Sequence, residues 1–199
     1  AGVLKMENTL RSKLAAEAGS FVFGYVGQIS PVKNLETLLL AFASPEFSED
    51  FLFIAGADPS KGEKYKSQCI KIIENHGIEN RVFWLGHIDD VAEFYSSLNV
   101  LLLLSQSEPL GRTPLEAASY MIPSIVNNVD GLPETVVHNE TGWLVDANDI
   151  SCIVNGMQKS KNVNLDEMGR FARSYVEKLA SPEIYVKQLI NFYGTVQRG

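Results

Sequence analysis

VLLLLSQSEPLGRTPLEAASYMIPSIVNN, residues 100–128, carries the fold in miniature. Its first five residues, Val100 through Leu104, are wholly apolar and run straight into a polar loop. A short unbroken apolar run bounded by turn residues suits a strand buried on both faces, as in a parallel sheet covered by helices. From Pro114 to Tyr120 the spacing becomes helical, and after Pro123 a second apolar run, 124–127, reads as the next strand. Strand, loop, helix and strand in succession make a βαβ unit, because neighbouring parallel strands need a crossover between them.

The same alternation extends in both directions. Apolar runs at 21–26, 51–55, 82–85 and 142–145 complete a set of six strand candidates, and helical spacing at 35–43, 65–75, 91–98 and 133–138 fills the gaps between strands. Asn34 is the expected N-cap of the 35–43 helix, and Asp89 with Asp90 open the 91–98 helix. The expected fold class is α/β, a Rossmann-like doubly wound parallel sheet of about six strands with extra C-terminal helices. After Asp149 the strands stop, and 150–159, 165–178 and 182–197 read as consecutive helices, the last with Pro182 in its first turn. The expected organisation is a linker or short helix at 1–19, the sheet domain at 20–180, and a terminal helix at 181–199. Tyr185, Leu189, Phe192 and Tyr193 form an apolar stripe on that last helix.

Composition narrows the function. The 199 residues are 45% hydrophobic and 21% charged, ordinary globular usage. With 17 Lys and Arg against 24 Asp and Glu, the formal charge of −7 argues against a nucleic-acid or anionic-membrane footprint, so any phosphate must be held locally. Cys69 and Cys152 lack CxxC or metal-ligand spacing, which fits a reduced, cytoplasmic compartment without zinc. The apolar stretches fall well short of the roughly 20 residues of a spanning helix, and no signal-peptide pattern opens the chain. Direct membrane insertion is not expected, and membrane association through another region stays open.

Two loops can carry chemistry. The turn after the first strand, Gly27-Gln28-Ile29-Ser30-Pro31-Val32-Lys33-Asn34, combines a glycine, a lysine and a helix start, all favourable to an anion. It lacks GxGxxG, which weighs against a nicotinamide or flavin cofactor. The second loop follows Leu104, at the carboxyl end of a strand where open α/β sheets bind ligands. Gly111, Arg112 and Thr113 can present free amides to a phosphate at the helix start. Glu108 and Glu116 flank that anion site. Singly, each glutamate reads as a solvated loop carboxylate or a helix-start charge. Together they call for hydrogen-bond donors, and ribose and sugar hydroxyls supply them.

These segments resemble the retaining GT-B glycosyltransferases of group 1, family 4. Glu108 through Glu116 is similar to the family's E-x7-E motif, and Gly27 through Asn34 to its G-R-L-x-x-x-K-G/N turn. Val82 through Ile88 is similar to its F-x-G-x-V strand, Asp130-Gly131-Leu132-Pro133-Glu134 to its G-G-x-P-E turn, and Asn139 through Val145 to its N/D-G-x-T-G-x-L-V segment. The matches run in family order over nearly the whole chain.

The resemblance implies a UDP- or GDP-sugar as donor substrate, no cofactor and no metal. It implies that Lys33 and Glu108 are catalytic, Lys33 neutralising the diphosphate and Glu108 contacting hydroxyls of the transferred sugar. Glu116 would accept hydrogen bonds from the ribose, Leu110, Gly111, Arg112 and Thr113 would offer backbone amides, and Gly86, His87 and Ile88 would lie near the base. The acceptor, whether polysaccharide, lipid or small molecule, would come through a missing N-terminal domain toward which the last helix packs, leaving the isolated chain inactive. Where the family carries arginine in the first turn this chain carries Gln28, which cannot offset diphosphate charge, so leaving-group stabilisation would rest on Lys33, with Arg112 placed to compensate.

Two other functions stay open: a non-catalytic sugar-nucleotide-binding or scaffold domain, and a GT-B-like sugar-nucleotide epimerase. His87 and His138 read as polar loop residues, and Asp58 and Asp146 as loop caps.

Overall fold

Side chains alternate across a strand, so runs apolar at every position need cover on both faces of their sheet. The computed structural model describes residues 10, 11 and 20–179 and meets that demand with helices on each side. The strands are β1 (Val22–Val26), β2 (Phe51–Ala55), β3 (Val82–Gly86), β4 (Val100–Leu103), β5 (Ser124–Asn127) and β6 (Gly142–Val145). They form one six-stranded sheet in the order β3-β2-β1-β4-β5-β6, with every pairing parallel. The helices are α1 (Leu35–Phe42), α2 (Lys64–His76), α3 (Val91–Ser96), α4 (Arg112–Ser119), α5 (Ile150–Ser160) and α6 (Leu165–Leu179).

On one face Phe23 and Tyr25 of β1 and Leu52 and Ile54 of β2 pack with Leu38 and Phe42 of α1, Cys69 and Ile73 of α2, and Ile153 and Met157 of α5. On the other, Val22, Phe53 and Leu101 pack with Phe94 and Tyr95 of α3, Leu98 just beyond it, and Ala117 of α4. A small third cluster, Ala118, Ala172 and Val176, seats α6 on α4. The α/β doubly wound expectation holds, and each strand lies within a residue of its expected position at either end.

The connections depart from expectation in three places. The 133–138 helix is only a 3-10 turn at Leu132–Glu134. The Thr135 hydroxyl donates back to Leu132 O at 2.7 Å, and Val137 N–H goes to the Thr141 hydroxyl at 2.8 Å, which leads the chain into β6 instead of continuing a helix. The 91–98 helix stops at Ser96, because Ser97 and Leu98 close tight turns onto Phe94 O and Tyr95 O. Asn34 occupies the expected N-cap position, but in left-handed conformation at φ 56°, and its side chain caps no amide. Its Oδ1 instead accepts a 2.7 Å hydrogen bond from the Thr37 hydroxyl. Asp90 does cap α3, accepting from Ala92 N at 3.0 Å and Glu93 N at 3.1 Å.

The 182–197 helix lies outside the described residues, as does most of 1–19. Leu10 and Arg11 are helical, and Arg11 Nε donates to Ser97 O at 2.7 Å. Among the described residues no helix is long and apolar enough to cross a membrane.

Candidate functional site

The strand order turns back between β1 and β4, and the crevice outside the carboxyl ends of two such strands is where doubly wound sheets bind ligands. The two loops singled out in the sequence leave these two strands. They meet: Gln106 N donates to Val32 O at 2.8 Å, and the Lys33 ammonium forms an ion pair with the Glu108 carboxylate. Both side chains are about four-fifths buried, at 20% and 18% exposure.

Local chemistry aims each partner. Pro31 begins a 3-10 turn that ends at Lys33, and the left-handed Asn34 then redirects the chain into α1. Upstream, the buried Tyr25 hydroxyl donates to Gln28 O at 2.7 Å, fixing the start of the turn while the Gln28 side chain stays exposed. Burial, then the charges of Tyr65 and Glu108, push the Tyr25 phenol well above its ordinary value, so it remains a donor. Glu108 is held from β5: its N–H donates to Asp130 Oδ2 at 2.9 Å, and its carbonyl accepts from Gly131 N at 3.2 Å. Asn127 ties the strand ends together, donating to Ser105 O at 2.8 Å and accepting from Ala147 N at 3.0 Å.

Gly111 starts α4 at φ 69°, a conformation glycine adopts without steric cost, and no side-chain hydrogen bond caps the helix among the described residues. The amides of Arg112 and Thr113 thus stand at a helix start that no described side chain caps. The Arg112 and Leu110 side chains are exposed.

Glu116, one turn along α4, has a different partner. It accepts a 3.1 Å hydrogen bond from the buried Tyr95 hydroxyl. The Tyr95 ring stacks on Tyr120 with centroids 5.1 Å apart. Burial first, and then the Glu116 charge, raise the Tyr95 phenol far above its usual value.

At the end of β3, Gly86 O accepts from Gly56 N at 2.7 Å, and the exposed His87 Nε2 lies 3.5 Å from Asp89 Oδ1. That carboxylate neighbour was not anticipated for His87, but at 83% and 99% exposure the pair is solvated. His138 Nδ1 accepts from Leu144 N at 3.0 Å and so holds the turn before β6. Asp58 and Asp146 cap loops as expected. Asp58 accepts from Ser60 N and Lys66 N at 2.8 and 2.9 Å, and these bonds, with the Ser60 side-chain interaction foremost, hold its carboxyl at about 2.

The fold thus brings Lys33 and Glu108 into contact and leaves Glu116 on Tyr95. Sequence reasoning missed Tyr95, Tyr25 and the Asp130 side chain. An aspartate directly before the glycine of a turn was the one signal available for Asp130. A polar cleft of about 480 Å³ opens beside these loops, lined by Gln106, Asn127, Asn128, Asp146 and Asn148 among others. A groove of about 540 Å³ on α6, lined by Val163, Phe171 and Tyr175 among others, shares no residue with the two loops.

Residues 6–173 match the family model described as Glycosyl transferases group 1. The chain belongs to the group 1 glycosyltransferases. The capsular polysaccharide biosynthesis glycosyltransferase CapM of Staphylococcus aureus is 29% identical over 181 residues, which are 88% of this chain and 46% of that protein. Sucrose-phosphate synthase from Thermosynechococcus elongatus has a TM-score of 0.80 at 28% identity, covering 94% of this chain and 48% of its own. Anabaena HepE, solved in complex with UDP and glucose, reaches a TM-score of 0.84 over 98% of this chain and 53% of its own, and at 21% identity that likeness shows the fold alone. The chain spans about half the length of these proteins.

Proposed function

We propose that this chain is the donor-binding half of a sugar transferase, holding a nucleoside diphosphate sugar while another domain presents the acceptor. The observation that carries the reading is the Lys33–Glu108 pair at the β1/β4 switch point, directly before the uncapped start of α4. It sets a cation, helix-start amides and a carboxylate along one crevice, the groups that a diphosphate followed by a polyhydroxylated sugar requires.

In this reading the ammonium of Lys33 leaves Glu108 for the diphosphate as the donor enters. Glu108 then accepts hydrogen bonds from sugar hydroxyls, Glu116 from the ribose, and the end of β3 at Gly86, His87 and Ile88 receives the base. Leu110, Gly111, Arg112 and Thr113 contribute backbone amides, and Gln28 a neutral donor. Transfer proceeds with retention and without a metal: the bond from the anomeric carbon to the diphosphate oxygen breaks, the acceptor oxygen bonds to that carbon on the same face, and its proton passes to the leaving phosphate. Lys33 stabilises the charge that develops on the diphosphate. The unit at 20–180 is the donor domain, and a separate acceptor domain completes the enzyme, without which transfer is negligible.

Gln28 favours a second reading, a donor-binding domain that performs no transfer, because an uncharged side chain stands where a cation would assist departure of the diphosphate. Calorimetric titration with UDP-glucose and GDP-mannose, comparing wild type with Lys33→Ala and Glu116→Ala, tests the donor site. Wild type should bind one of them, and each variant should weaken it at least tenfold. Binding of neither sugar nucleotide would overturn the proposal, and assay of the full-length protein for transfer separates enzyme from passive binder.

A further inference from the structure

Asp130 stands in left-handed backbone, φ 47°, in the turn after β5. Glycine serves such a position best, and the motif this turn resembles has glycine there, so the backbone alone does not call for a carboxylate. The side chain reaches out of its own turn. Its Oδ2 accepts from the Ser107 hydroxyl at 2.7 Å and from Glu108 N at 2.9 Å. The adjoining Gly131 N donates to Glu108 O at 3.2 Å, so both ends of Glu108's main chain are bonded to this turn. The contact is close: a Cβ on Gly131 would lie 2.2 Å from Pro109 O. Asp130 is exposed, yet its carboxyl lies below the usual range, mainly through Ser107 and then through the Glu108 amide, so it stays an acceptor at neutral pH.

We propose that Asp130 is the positioning residue for Glu108, clamping the Ser107–Glu108 peptide so that the Glu108 carboxylate stands at the switch point, ready for hydroxyls of the transferred sugar. The sugar-facing part rests on the donor-site reading above. Without the clamp, the loop between β4 and α4 loses the bond at the Glu108 amide and the adjoining bond at the Ser107 hydroxyl, and the Glu108 carboxylate samples positions away from the crevice. The diphosphate, held by Lys33 and helix amides, is indifferent to that change.

Four variants test this: Asp130→Gly, Asp130→Asn, Glu108→Ala and the double variant Asp130→Gly/Glu108→Ala, titrated with UDP, UDP-glucose, GDP and GDP-mannose. Glycine accepts the backbone angle, so the first variant removes the carboxylate without straining the turn. It should weaken the sugar nucleotide about fivefold and change the parent nucleotide by less than about twofold, with no further loss once Glu108 is alanine. Asparagine keeps an acceptor oxygen and should recover most of the loss. Hydrogen exchange at the Glu108 amide should quicken in Asp130→Gly. Equal weakening of nucleotide and sugar nucleotide, additive loss in the double variant, or unchanged Glu108 exchange would each overturn the role of Asp130 while the donor site stands. Wild type that binds none of the four ligands would remove the donor site itself, and this role with it.

Discussion

Lys33 and Glu108 lie 75 residues apart in the chain and form an ion pair across the crevice between β1 and β4. Each is the group that the other would give up for a ligand, Lys33 for a phosphate and Glu108 for hydroxyls. Both groups keep about a fifth of their surface open to the crevice, so an incoming diphosphate can reach Lys33 and take the place of Glu108.

Lys33→Met leaves the mostly buried Glu108 carboxylate unpaired and should lower stability by about 1–3 kcal/mol in denaturant titration. Calorimetry on the same variant should show nucleoside diphosphate affinity reduced at least tenfold, with a weaker dependence on salt than in wild type. A large loss of stability with unchanged affinity would make the pair a structural strut.

Tyr95→Phe removes the hydroxyl that donates to Glu116 and keeps the buried ring. Because the Glu116 carboxylate is exposed, water replaces the lost donor, and unfolding should register a cost of only about 0.5–1.5 kcal/mol. On the proposed donor site, where ribose hydroxyls donate to Glu116, affinity for a ribonucleotide should fall more than affinity for inorganic pyrophosphate.

Gly56→Ala and Gly62→Ala separate strain from crowding. Both glycines have positive φ, 132° and 78°, but a Cβ at Gly56 would fall 1.8 Å from Gly27 O, whereas at Gly62 nothing lies within 4 Å. Equilibrium unfolding should give about 3 kcal/mol of destabilisation for Gly56→Ala and about 1 kcal/mol for Gly62→Ala. Gly56→Ala should also weaken nucleotide binding, because Gly27 opens the turn that carries Lys33.

Asp58 makes part of the acid stability. Its folded carboxyl titrates at about 2 against an ordinary 3.8, so the stabilisation is complete above the ordinary value and is lost as pH falls from about 4 toward about 2. Asp58→Asn should be less stable than wild type at pH 7, and urea midpoints measured down the pH scale should converge in that acid window. A gap independent of pH would show that its charge is irrelevant.

The strands and most helices were legible because their signals are local. An apolar run such as Val100–Leu103 cannot stay hydrated, and its turn residues mark both ends, so burial and bounds follow from neighbours in the chain. The 133–138 segment misled because its spacing is helical while the Thr141 hydroxyl takes the Val137 amide out of any helix. Asn34 misled similarly, since its residue type announced a cap but not a left-handed backbone. For the candidate site, Lys33, Glu108, Gly111 and Glu116 stand out in the sequence by type and spacing. Their partners do not. Which strand lies beside β1 depends on how two faces of helices close over the sheet, and that packing alone brought Lys33 to Glu108, Tyr95 to Glu116 and Asp130 to the Glu108 amide. Hydrophobic periodicity is written along the chain, whereas a hydrogen bond between distant loops exists only once the core has set their distance.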